Sequence, residues 1–106
     1  MPNGLLGKGT SVANTDLVVY TAPSGCQYST VNLLIVNTNG EIASIKVGIT
    51  LAETPGIADY IEYNAQIPAN GGILERTCLI LSPNEKIIVN STVANVTVRV
   101  NGLEAN

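Results

Sequence analysis

Histidine is absent from the 106-residue chain. With it go the commonest general base, the commonest transition-metal ligand and any Ser-His or Cys-His dyad. Phenylalanine and tryptophan are absent as well, so a core must be built mainly from Val, Ile and Leu. Charge is scarce: five basic and eight acidic residues give a net charge of −3, with no run of either sign. A nucleic-acid surface needs clustered Lys and Arg to displace counterions from phosphate, and an anionic membrane face needs the same. Neither partner is expected. No segment approaches the ~18–20 apolar residues of a membrane span. Met1-Pro2-Asn3-Gly4 lacks the charged start and apolar stretch of a secretory leader, so synthesis in a cytoplasm is expected. The two cysteines, Cys26 and Cys78, are too few for a disulfide or metal framework and read as free thiols.

What the chain does have is alternation. Ile61, Tyr63, Ala65 and Ile67 alternate with Glu62, Asn64 and Gln66, the period of two that marks a half-buried strand. This stretch ends at Pro68-Ala69-Asn70-Gly71-Gly72, where Asn-Gly favours a tight reversal. A second turn at Ser82-Pro83-Asn84 precedes another apolar run. Residues 58–89 therefore predict a three-stranded antiparallel meander.

Further strands follow from the same pattern. Residues 16–22 form the first, closed by Pro23-Ser24-Gly25. Residues 28–37 form a longer one, with Val31, Leu33 and Ile35 on one face and Leu34 and Val36 on the other. Apolar groups on both faces predict a strand covered on both sides. Asn37-Thr38-Asn39-Gly40 reads as a hairpin turn into Ile45, Val47, Ile49 and Leu51, and residues 96–100 form the last strand before an acidic tail, 103–106. Residues 1–15 are rich in Gly, Asn and Thr and read as an N-terminal arm anchored by Leu5, Leu6 and Val12. The expectation is one domain over 16–106: an all-β, antiparallel seven-stranded sandwich, immunoglobulin-like or jelly-roll-like, preceded by the arm.

Chemistry is thinly represented. Asp59, Glu62 and Glu75 are the only acids that a tight hairpin would gather for glycosidase or calcium chemistry. Asp59 and Glu62 have opposite strand parity, however, and Glu75-Arg76 reads as surface charge and cross-strand pairing. The sequons at Asn90 and Asn95 carry no weight without a leader. By parity Tyr63 belongs to the core face and Tyr60 to the opposite one. No catalytic residue, metal ligand or cofactor site is expected, and the chain does not read as an enzyme. A surface poor in charge but rich in Asn, Thr and Ser suits burial against a protein partner.

Several strings carry a resemblance: Leu5-Leu6-Gly7-Lys8, Val19-Tyr20-Thr21-Ala22-Pro23, Ala58-Asp59-Tyr60-Ile61-Glu62-Tyr63, Ile67-Pro68-Ala69-Asn70-Gly71, Leu74-Glu75-Arg76-Thr77 and the closing run 95–102. Together they resemble small virion structural proteins of tailed bacteriophages, particularly those of cyanobacterial hosts. The second glycine of Gly71-Gly72 departs from the pattern and suggests a lengthened turn or a bulge. The resemblance implies a virion component made in the host cytoplasm. It leads us to expect a capsid decoration or cement protein that binds the major capsid protein on the outer head surface, as a dimer or trimer. Alternatives are a tail, baseplate or fibre-associated module, and a carbohydrate-binding host-recognition domain using Tyr60 or Tyr28. Leu5, Leu6, Lys8, Leu34, Val36 and Tyr60 are the expected partner contacts. On this reading, deleting residues 1–10 should leave a soluble sandwich that no longer binds capsids.

Overall fold

β-Branched residues at alternate positions dictate strands, and the computed structural model, which describes residues 3–105, contains eight. They are β1 (Asn3–Thr10), β2 (Asp16–Thr21), β3 (Tyr28–Asn37), β4 (Ala43–Thr50), β5 (Tyr60–Ile67), β6 (Gly72–Leu81), β7 (Lys86–Ser91) and β8 (Val96–Ala105). A first sheet has the order β1-β8-β3-β6 and a second the order β2-β7-β4-β5. All pairings are antiparallel. The expected count of seven is corrected to eight, because the segment read as an arm contributes β1 to the first sheet.

The pairings follow one rule. β1 pairs with β8, β2 with β7, β3 with β6 and β4 with β5. Asn3 faces Leu103, Asp16 faces Asn90, Ser29 faces Leu81 and Ala43 faces Ile67. The chain is thus one long hairpin with its apex in the loop 51–59, rolled so that successive lengths of the doubled ribbon fall alternately in the two sheets. Consecutive strands therefore do not form the expected meander: β5, β6 and β7 alternate between sheets. The turn at Asn70 (φ 60°) and Gly71 (φ 106°) has the left-handed geometry that Asn-Gly favours, but it crosses between sheets. Residues 37–40 make a second crossing rather than a hairpin.

Asn37 holds these two crossings together. Its buried side-chain amide donates to the carbonyls of Glu41 at 2.8 Å and of Ile67 and Pro68 at 3.2 Å each. Its Oδ1 accepts the Asn39 N–H at 3.0 Å. Backbone bonds from Asn70 N–H to Asn39 O and from Gly71 N–H to Asn37 O complete the joint.

The inner faces share one core. Val31, Leu33, Ile35, Val98, Val100 and Leu81 of the first sheet meet Ile45, Val47, Ile67, Ile87 and Val89 of the second, all essentially inaccessible. Register shifts interrupt all four edge strands; those in β5 and β6 re-aim the residues of the central stretch. Ile45 faces Ala65 but Val47 faces Glu62, so β5 gains a residue at Asn64 (φ 55°). Ile61 and Tyr63 are consequently exposed rather than in the core, and Glu62 turns inward. β6 bulges at Cys78 (φ 58°), whose N–H bonds Asn32 Oδ1 at 3.1 Å. Beyond that bulge Arg76 lies opposite Leu33 and pairs with Glu62. This ion pair spans the gap between the edge strands of the two sheets.

The outer faces differ. A Cβ on Gly48 would lie 2.8 Å from Pro55, so the 51–59 loop folds back over the outer face of the second sheet, where Ile88 is only 2% exposed. The first sheet carries no such cover among the described residues.

β1 is held by more than its edge pairing. Leu6 packs against the core, and a Cβ on Gly7 would meet the Val19 carbonyl oxygen at 2.1 Å, so β1 and β2 approach through glycine. Deleting residues 1–10 should therefore destabilise the fold and bare the β8 edge to aggregation, lowering the thermal midpoint by ten degrees or more (~2–3 kcal/mol). A truncated chain that melts with the full one would show that β1 adds nothing to stability.

Candidate protein-contact surface

Register fixes which side chains share the outer face of the first sheet, because directly opposed residues point the same way. Lys8 faces Arg99, Arg99 faces Leu34 and Leu34 faces Glu75, giving one row across β1, β8, β3 and β6. A parallel row runs Thr10, Thr97, Val36, Ile73. Towards the other end, Leu103, Thr30 and Ile80 make a third. The large apolar groups are prominent: Leu103 is 58% exposed, Ile73 64% and Ile80 69%. Between the first two rows lies a groove of about 540 Å³, with Leu34, Val36 and Thr97 in its floor and Lys8, Arg99 and Thr10 along it.

Electrostatics single out the same place. Lys8 and Arg99 sit directly opposite one another, an arrangement that costs stability when both are cationic. Among the described residues the one ion pair is Arg76 with Glu62, so neither cation has an acidic partner. Arg99 Nε donates to Asn101 Oδ1 at 3.3 Å, a neutral contact. The strip thus carries two unpaired cations at one side, an acid at the other and exposed aliphatic groups between them.

Of the residues expected to touch a partner, Lys8, Leu34 and Val36 come together in this groove. Leu5 lies on the same face, 42% exposed. Leu6 turns inward at the β1 bulge and packs on the core. Tyr60 is elsewhere, on edge strand β5 of the second sheet. It meets Tyr63 edge-on at 5.1 Å, and the Lys46 ammonium lies 5.0 Å from the Tyr63 ring centre. No family model, curated protein or solved structure matches the chain. Its surface must be read from its own geometry.

Arg99, Thr97, Glu75 and Ile73 escaped sequence reasoning, since nothing before the register is known places them beside Lys8 and Leu34. A second cluster also escaped it. Glu104, read as part of a tail, is 7% exposed inside β8, and the Tyr20 hydroxyl donates to its Oε2 at 2.5 Å. Ser29 Oγ lies 2.8 Å from the same hydroxyl, and Cys26 Sγ donates to Pro23 O at 3.1 Å beside it. Burial, then the bond to Glu104, pushes the Tyr20 phenol up to about 12. This cluster closes one end of the core and is shut off from solvent. Among the described residues no three His, Cys, Asp or Glu side chains gather as a metal site would require.

Proposed function

We propose that the chain is a virion structural protein, acting as a capsid decoration or cement protein that adheres to the outer head surface. A cement must hold two neighbours at once. The observation that carries the reading is a pair of exposed apolar regions on opposite sides of the molecule. One is the outer face of the first sheet. The other is the loop over the second sheet, where Leu51 is 65% and Ile57 82% exposed. Adhesion of this kind needs no chemistry, only modest areas repeated in many symmetric copies.

The strand order supports the same assignment. We read the eight strands, in sheets ordered β1-β8-β3-β6 and β2-β7-β4-β5, as a double Greek-key jelly roll, an architecture that recurs in viral capsid proteins and also in lectins and cupins. Because function is grafted onto a fold rather than implied by it, the contact surfaces carry the argument and the topology only accompanies it.

The test is the copy number of this protein in purified virions, by quantitative mass spectrometry against the major capsid protein. Copies on the order of hundreds are expected for a head-lattice site. A few dozen or fewer would move the protein to the tail, baseplate or fibres. Absence from particles would remove the virion reading and leave glycan binding as the function to test.

A further inference from the structure

We infer that the outer face of the first sheet is a self-complementary interface, covered by the same face of a second copy about a two-fold axis running along β3. The inference rests on reading this face as adhesive, but not on where the protein works. The charged row supplies the argument. Arg99 and Glu75 flank Leu34 on its two sides, so they stand two strand spacings apart, ~9.6 Å, with Leu34 midway.

Two faces can stack through a two-fold axis in the plane between them. An axis lying along the charged row, perpendicular to the strands, would set Lys8 over Lys8 and Arg99 over Arg99, which is repulsive. An axis along β3 instead reverses the order of the strands while keeping each row level with itself. Arg99 of one copy then lies over Glu75 of the other, and Glu75 over Arg99. Leu34 and Val36 meet their own counterparts on the axis. The remaining rows agree: Leu103 falls over Ile80, and Thr97 over Ile73. Lys8, one strand beyond Arg99, adds cationic charge on the side that faces the partner's acid. One operation thus pairs the unmatched charges and buries the three most exposed aliphatic groups of the face. That closed, isologous arrangement is the one favoured for homodimers.

Size sets the strength. An axis along β3 overlaps three strands of each copy, β8, β3 and β6, and leaves β1 overhanging; three strands about eight residues long cover roughly 400 Å² at standard spacings. A dimer then buries on the order of 800 Å² in total, the size of a weak, transient interface. Association is expected only at roughly tens to hundreds of micromolar. The 51–59 loop of each copy, on the far side of its own second sheet, would point away from the dimer, so two adhesive loops would face outward.

Sedimentation velocity on the purified chain from ~1 to ~500 μM tests this, with Arg99→Glu, Glu75→Arg and the double swap beside the wild type. Both charge positions are exposed, and circular dichroism confirms that each variant is folded. Each single swap should weaken dimerisation at least ~tenfold by setting like charges together, and the double swap should restore it. A wild type that stays monomeric throughout overturns the inference, as does a dimer indifferent to both single swaps. Failure of the folded double swap to recover association overturns the axis. A second readout does not depend on charge. In a Cys78→Ser background, Leu34→Cys should cross-link to itself with a short bis-maleimide, since the facing sheets stand too far apart (~10 Å) for a disulfide, whereas Thr10→Cys, two strands from the axis, should not; the reverse result overturns the geometry. All of this is measured without virions, so a virion copy number of zero would leave it standing.

Discussion

One added methyl group at position 102 should cost the fold about 3 kcal/mol, near the upper end for overpacking, while the same change at position 40 should cost nothing. A Cβ on Gly102 would lie 2.0 Å from the Thr30 carbonyl oxygen and 2.8 Å from Val31 Cα. Both obstacles are backbone atoms of β3, the immediate neighbour of β8. They cannot retreat without opening the ladder that joins the two central strands of the first sheet. Against a total stability of about 5–15 kcal/mol, a loss of that size is severe. Gly40 makes the internal control. Nothing lies within 4 Å of where its Cβ would be, and its φ is not left-handed. There Gly→Ala should be neutral or stabilise by about 0.4–1 kcal/mol, by restricting the unfolded chain. Urea midpoints of Gly102→Ala and Gly40→Ala should move in opposite directions or differ widely. Equal midpoints would mean that β8 and β3 separate far more easily than their register implies.

Tyr20→Phe should be the next most damaging change, costing about 2–3 kcal/mol at neutral pH because the buried Glu104 carboxylate loses its hydroxyl donor. The loss should also depend on pH. Burial first, then the bond to Glu104, raises the Tyr20 phenol from 10.0 to about 12. The folded state therefore favours the neutral phenol. Its contribution is complete below pH 10 and is lost as pH climbs through about 12. Two units of displacement correspond to roughly 2–3 kcal/mol. Chemical denaturation of both proteins at intervals across this range should show a wide gap at pH 8 that closes towards pH 12. A gap that stays constant would mean that the hydroxyl stabilises the fold without regard to its proton.

The strands were largely legible in the sequence; their partners were not. Val31, Leu33 and Ile35 mark β3, and its bounds of 28 and 37 fall where the alternation and the flanking turns put them. Turn chemistry was equally plain at Asn70 and Asn84, which both take positive φ, at low cost for Asn; Asn14 and Asn95, also at positive φ, were not read as turns. Alternation, however, says which face a residue occupies and nothing about which strand lies beside it. The meander over 58–89 was therefore the shortest connection consistent with the pattern, and the rolled hairpin replaces it. Bulges hid the rest. Asn64 within a regular-looking strand was the one available hint that Ile61 and Tyr63 would change sides; Cys78 offered none. β1 escaped because glycine is a poor strand former, yet Gly7 is there because β1 runs against the backbone of β2. At the contact surface, Leu34 and Val36 announced themselves as apolar residues on the wrong face of a strand. The charges that give this face its direction became visible only with the register, since Lys8 and Arg99 are ninety-one positions apart in the chain and adjacent in the sheet.

The rolled hairpin also sets the order in which the molecule can be made. β8 is the last strand of the chain, yet it lies between β1 and β3. β1 has no other strand partner. While residues 96–105 are still within the ribosome, the first strand synthesised has nothing to pair with and the first sheet is split down its middle. The second sheet has all four of its strands somewhat earlier, once β7 emerges. The first sheet is therefore completed by contacts between strands far apart in sequence, which is slow for a β topology and leaves apolar edges open in the interval. A cell producing this protein in quantity would carry a pool of half-paired chains, and its sparse charge offers them little repulsion to keep them apart.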